Sequence, residues 1–175
     1  NTTNKQQGTG AASFSSTGRL SDTSSTEYVL SGAGTWGGWM RLTNETADSV
    51  AIHRKQHSYD GYELTYKRAS DKFTCYAQDK VLAITDTNTA GTYTFAVCTW
   101  DGTNLRAYGN GKAATSTALA TLDAGTLPLT LGGYDNTTNL YVGQLDEIGL
   151  INNRALTEAE ICRWCSCGIQ GELCT

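Results

Sequence analysis

Thr94-Phe95-Ala96-Val97-Cys98-Thr99-Trp100-Asp101-Gly102-Thr103-Asn104-Leu105-Arg106-Ala107-Tyr108-Gly109-Asn110-Gly111 reads as strand, turn, strand and second turn without a break. Tyr93 to Trp100 is rich in β-branched and aromatic residues, which suit a pleated, half-buried surface. Trp100-Asp101-Gly102 and Gly109-Asn110-Gly111 each supply residues that tolerate positive φ, the chemistry of hairpin connections. Leu105-Arg106-Ala107-Tyr108 alternates between them and predicts the return strand.

The same grammar continues on both sides of this stretch. Upstream, short apolar or alternating runs stand at Ala12 to Ser15, Tyr28 to Leu30, Trp39 to Leu42, Ser49 to Ile52, Tyr62 to Tyr66, Phe73 to Ala77 and Val81 to Ile84. Downstream they recur at Leu127 to Leu131, Leu140 to Val142 and Glu147 to Ile151, with Tyr59-Asp60-Gly61 as a further turn. Many short strands at this spacing predict an all-β sandwich or barrel. One short helix is expected near the end: Thr157-Glu158-Ala159-Glu160 is a capping box that opens it, and Gly168 can close it. Leu145, Ile148 and Leu150 can anchor a closing strand, with Leu156 and Ile161 packing the helix back on the sandwich. Asp146 and Glu147 then point to opposite faces of a strand and take structural roles, bonding to nearby backbone or a loop, with metal binding as the competing reading.

Composition agrees with that class. The chain has 175 residues, 17% charged, with a single proline, Pro128, which suits one sandwich domain. The net charge of −4 and the absence of a basic run leave little for counterion release to act on, which excludes nucleic acid as a partner. No apolar stretch approaches the roughly 18–20 residues needed to cross a bilayer, so no transmembrane segment is expected. Beginning at Asn1 without a signal-like apolar region, the sequence reads as a mature or excised fragment. The expected organisation is a flexible segment 1–11, a sandwich domain 12–161 and a cysteine-rich tail 162–175.

Six cysteines and sequons at Asn1, Asn44 and Asn136 favour an oxidising compartment, hence a secreted or cell-surface location. If Phe73 to Ala77 and Thr94 to Trp100 pair as antiparallel strands about a turn near Asp86-Thr87, Cys75 and Cys98 oppose one another at disulfide distance. Cys162, Cys165, Cys167 and Cys174 crowd into the tail, with Cys162 and Cys165 on one helix face. They lack the two separated C-x-x-C hooks that specify zinc, and the expectation is two disulfides whose connectivity stays open among three pairings.

Thr94 to Gly111 resembles the strand, turn and strand of laminin-G-like jelly rolls. Pro128 to Gly133, Val142 to Leu150 and Asn153 to Ile161 are similar to that family's closing strand and helix, and Ala12 to Leu20 and Tyr28 to Trp39 extend the likeness over most of the chain. The resemblance implies a concanavalin A-like jelly-roll sandwich of two antiparallel sheets. Pentraxins are a calcium-binding branch of that superfamily, and Tyr59 to Lys80 with Leu131 to Asn136 looks like their two calcium loops. By that likeness Asp60, Asp135 and Asn136 are the oxygen ligands of a calcium ion. The sequence departs from the pattern, because the family's acidic cluster is reduced to Asp135 and Ser15 stands after Phe14 where an acid is expected. A calcium ion wants six to eight oxygens, so its affinity falls with this shortage.

The leading expectation of function is a non-catalytic, lectin-like module that binds a glycan or glycoprotein. Sugar faces pack on aromatic rings, and the candidates are Trp36 and Trp39 in a Gly-rich segment read as a loop, Tyr59 and Tyr62 beside Asp60, and Tyr134 beside Asp135. For each ring taken singly, burial in the core is the competing reading. The alternative function is a protein-binding adhesion or spacer module of a larger surface protein. A glycosidase needs paired carboxylates about 5–5.5 Å apart, and no Glu-x-Asp-x-Glu run supplies them. His53-Arg54-Lys55-Gln56-His57 reads as a solvated loop.

Overall fold

The structure, a computed structural model, describes residues 11–22, 26, 28–54, 60–84, 87–123, 125–134 and 138–167. Twelve strands and one helix succeed one another in chain order: β1 (Ala12–Phe14), β2 (Leu20–Ser21), β3 (Gly34–Leu42), β4 (Ser49–Arg54), β5 (Tyr62–Lys67), β6 (Lys72–Ala77), β7 (Lys80–Ala83), β8 (Thr94–Trp100), β9 (Asn104–Gly109), β10 (Lys112–Ala118), β11 (Thr130–Leu131), β12 (Gly143–Asn152) and α1 (Glu158–Cys167). They form two six-stranded antiparallel sheets, ordered β1-β12-β3-β8-β9-β10 and β2-β11-β4-β5-β6-β7. The chain changes sheet between β1 and β2, β2 and β3, β3 and β4, β7 and β8, β10 and β11, and β11 and β12, as in a jelly roll.

The inner faces meet in one core. Trp36, Met40, Cys98, Trp100 and Leu105 of the first sheet pack on Tyr62, Leu64, Tyr66, Phe73 and Cys75 of the second. Cys75 and Cys98 are bonded, with their Cα atoms 5.9 Å apart. The bridge is as expected, but the strand pairing that suggested it is not. Cys75 sits opposite Leu64 and Leu82 in one sheet, whereas Cys98 sits opposite Trp36 and Ala107 in the other. The disulfide therefore staples the two layers through the core.

Local chemistry explains the connections. Gly109 pairs with Lys112, so Asn110 and Gly111 alone make the β9–β10 turn, with φ of 47° and 80° as a type I′ hairpin requires. At the β8–β9 turn Asp101 Oδ1 accepts from the N–H of Thr103 at 2.9 Å and of Asn104 at 2.7 Å, while Oδ2 takes Arg106. Two expected strands are absent. Tyr28 turns with φ of 59°, carrying Leu30 down against Gly34, and Leu140 to Val142 runs irregularly into β12. Two strands are not anticipated by the sequence pattern: the two-residue β2, and β10, whose Lys-Ala-Ala-Thr-Ser-Thr-Ala lacks apolar alternation and serves as an edge.

A second cluster lies on the outer face of the first sheet. There α1 lays Ile161 and Trp164 over Trp39, Phe95, Val97 and Tyr108. The capping box forms as expected: Thr157 Oγ1 takes the N–H of Glu160 at 3.4 Å, and Glu160 Oε2 takes the N–H of Thr157 at 2.9 Å. Asp146 is buried beside a bulge of β12, where its Oδ1 accepts the N–H of Glu147 at 3.0 Å. Cys162 is exposed on α1, and burial pushes the Cys165 thiol up to about 11, with Cys162 adding to the effect. The side chain of Cys167, together with Cys174, lies outside the described residues, as do residues 1–10 of the expected N-terminal segment.

Candidate functional site

While α1 lies over part of the outer face of the first sheet, the outer face of the second sheet gathers a buried polar group beside a hollow. A bulge between Val50 and Ile52 in β4 sets the alternation beyond it: Ile52 joins the core opposite Leu64, so His53 and Glu63 come next on the outer side. Register then draws one row across the sheet, Thr130, His53, Glu63, Tyr76 and Val81, on β11, β4, β5, β6 and β7.

His53 is the centre of this row. Its side chain is 2% exposed and its Nδ1 lies 2.8 Å from Glu63 Oε2. Glu63 Oε1 in turn accepts from the Thr65 hydroxyl, which holds the carboxylate still. The edge of the Tyr134 ring packs against the imidazole at 4.5 Å between centroids, and Arg19 Nη1 donates to the Tyr134 carbonyl at 3.1 Å. His53 Nε2 is buried and has no hydrogen-bond partner among the described residues. Beside it opens a hollow of about 280 Å³ lined by Arg19, His53, Leu127, Pro128, Thr130 and Tyr134. Tyr134 remains 39% exposed, so part of its ring is free to meet a ligand.

Further along the face the electrostatics are self-contained. Lys67 pairs with Asp48 and stands 5.9 Å over the Tyr76 ring. Burial alone would lower the Lys67 pKa, but the hydrogen bond to Asp48 together with the nearby Tyr76, Asp48 and Glu63 outweighs that and raises it. Burial raises Asp48 and the bonds from Lys67 and the Arg68 N–H outweigh it, leaving the carboxyl below its ordinary value.

Of the described aromatic residues expected to bind sugar, Tyr134 alone lines this hollow. Trp36 and Tyr62 are corrections: both are buried on the inner faces, their rings 5.1 Å apart, with Tyr62 Oη donating to the Tyr28 carbonyl at 2.7 Å. Trp39 is buried beneath α1 against Phe95. The glycines around these tryptophans mark close packing instead of a loop, since a Cβ at Gly37 would stand 2.3 Å from the Ala96 carbonyl oxygen. Tyr59 lies outside the described residues, as does His57. His53 and Arg54, expected in a solvated loop, are buried in β4. Sequence reasoning does not single out Arg19, Glu63 or Thr130, nor His53 as a site residue, although Ile52-His53 opposite Leu64-Glu63 carries the alternation that sets a histidine facing a carboxylate.

Most of the expected calcium set lies outside the described residues. Asp60 is described and half-buried, while Asp135 and Asn136 lie outside the description. No group of three or more His, Cys, Asp or Glu side chains gathers where a cation could sit among the described residues.

A family profile described as the concanavalin A-like lectin/glucanases superfamily, in its laminin-G-like form, matches residues 8–162. This chain belongs to the concanavalin A-like lectin/glucanase superfamily. No curated protein matches the sequence of this superfamily member. Its fold is shared with a native heptameric SAP-like pentraxin from Limulus polyphemus, at TM-score 0.69 and 13% identity over 89% of this chain and 81% of the pentraxin. It is also similar to the CBM40 of the Ruminococcus gnavus IT-sialidase bound to α2,3 sialyllactose, at TM-score 0.68 and 13% identity over 87% and 94%. Domain 4 of an extracellular GH43 arabinanase from Geobacillus stearothermophilus, in complex with arabinotriose, aligns at TM-score 0.64 and 13% identity over 87% and 74%. At these identities the likeness establishes the fold of the superfamily member, and the site must be argued from its own residues.

Proposed function

We propose that this chain is an extracellular, non-catalytic carbohydrate-binding module that grips a glycan in the hollow of His53 and Tyr134. The observation that carries the reading is a buried imidazole whose Nε2 has no partner among the described residues, beside a hollow and a partly exposed aromatic ring. Sugars need both features, because their C–H faces pack on rings and their hydroxyls require directed donors and acceptors. The structures held with sialyllactose and arabinotriose, similar in fold, support the same class of ligand. The Cys75–Cys98 bridge supports a secreted or cell-surface location, since disulfides persist in oxidising compartments. Service as one module of a larger surface protein fits a domain of this kind.

A glycan array on the purified chain tests the proposal. The wild type binds one class of glycans, and Tyr134→Ala weakens that binding about tenfold through loss of the ring contact. Its thermal midpoint falls by only a few degrees, because the ring is partly exposed and packs mainly on His53. A silent array would move the reading to a protein-binding adhesion module, and release of reducing ends from a polysaccharide would make the chain an enzyme.

A further inference from the structure

We propose that Glu63 fixes His53 in the Nδ1–H tautomer, and that the bare Nε2 makes the hollow a reader of a hydroxyl donated by an uncharged sugar. This rests on the glycan reading and goes beyond it by naming the chemical group that is recognised and the residue that sets it.

A carboxylate can only accept, so the 2.8 Å contact on the outer face places a proton on His53 Nδ1. In a neutral imidazole the other nitrogen then carries a lone pair. That nitrogen is buried and unpartnered among the described residues. A buried polar atom without a partner costs free energy, so packing alone does not account for it. A group that donates a hydrogen bond from the hollow would complete it. Thr65 anchors the far oxygen of Glu63, so the carboxylate cannot easily swing away and release the tautomer.

Charge narrows the ligand further. Arg19, which lines the hollow, is engaged by the Tyr134 carbonyl, and Lys67 farther along the same face is already paired with Asp48. A carboxylated sugar would set its negative charge toward the Nε2 lone pair with Glu63 behind it, whereas a sugar hydroxyl gives its proton to Nε2. The Tyr134 ring supplies the apolar wall for the adjacent C–H face.

The test begins with long-range ¹H–¹⁵N correlation of the imidazole in the unliganded full chain. It has two histidines, and His53 is assigned by the signals that vanish in His53→Gln. The expected spectrum shows Nδ1 protonated and Nε2 bare, and in Glu63→Gln, whose amide can donate as well as accept, the population moves toward Nε2–H. The chain is then titrated with the methyl glycosides of glucose, galactose, mannose and N-acetylglucosamine, and with N-acetylneuraminic acid as the carboxylated probe. An uncharged glycoside should shift the Nε2 resonance. His53→Asn keeps an amide toward Glu63 but has no atom at the Nε2 position, and should bind about tenfold more weakly. His53→Gln, whose carboxamide reaches that position, should hold affinity within about threefold. An Nε2–H tautomer with sugar binding intact overturns this inference and leaves the glycan reading standing. Preference for the carboxylated probe, or full affinity in a folded His53→Asn, overturns it likewise. The expected tautomer with no probe bound overturns both readings.

Discussion

Replacing Cys75 and Cys98 together by alanine should cost the domain about 3–5 kcal/mol, most of it through the unfolded state. The cysteines are 23 residues apart in sequence, and closing a loop of that length removes roughly 11 cal/mol/K of chain entropy, about 3.4 kcal/mol at room temperature. Both residues are fully buried between the sheets, so the missing sulfurs leave a void that adds about 1 kcal/mol. For a domain of this size each kcal/mol moves the midpoint by about 2–4 °C, giving a fall of roughly 10 °C or more. Urea unfolding of the oxidised wild type and the double variant, compared at equal slope, reads the difference directly. A loss below about 1 kcal/mol would refute the reasoning. So would peptide mapping that finds both thiols free in protein recovered from an oxidising compartment.

Three further outcomes are expected from the turns, the helix and the ligand set. Burial raises the Asp101 pKa, but the bonds from Arg106, Thr103 and Asn104 outweigh it and hold the carboxyl well below the usual range. Its stabilisation is therefore complete above the unfolded pKa near 4 and fades as pH falls through the lower folded value, so the stability gap between wild type and Asp101→Asn should close from about pH 5 downward in pH-dependent thermal melts. Thr157→Ala removes the hydroxyl that takes the Glu160 N–H and should cost about 1 kcal/mol, with faster amide exchange in α1 as the readout. Glycan binding at the His53 hollow is expected to be the same in calcium and in chelator, and a calcium-dependent rise in affinity on the array would return weight to Asp60, Asp135 and Asn136 as ligands.

The fold is legible because its signals are local. The turn at Asn110-Gly111 demands positive φ at both residues, and the capping box at Thr157 and Glu160 satisfies its own backbone groups, so neither needs the rest of the chain to be read. β10 is hidden for the complementary reason. As an edge strand of Thr, Ser and Ala it is specified by pairing with β9, a contact that one-dimensional periodicity does not express. The disulfide shows both sides at once: the spacing suggests opposed strands, yet the bond runs between layers, because either arrangement brings two Cα atoms to about the same separation.

The site is harder to read because it depends on which face of a strand each residue takes. Trp36 lies among glycines, and glycine near an aromatic suggests an exposed loop; in a central strand the same residues let neighbouring backbones approach closely, and the ring goes to the core. His53 sits in a charged run that suggests solvent, yet the bulge before Ile52 restores an alternation in which Ile52 faces in and His53 faces out toward Glu63. A polar side chain on an outward sheet face is ordinarily solvated, and this one is buried because Tyr134 packs on it from a different part of the chain. In the proposed function this burial without a partner at Nε2 is what makes His53 the recognition group, and it arises from β4, β5 and the turn after β11 acting together. On that proposal specificity resides in which polar atoms the sheet leaves unanswered, and aromatic content along the sequence is a poor guide to them.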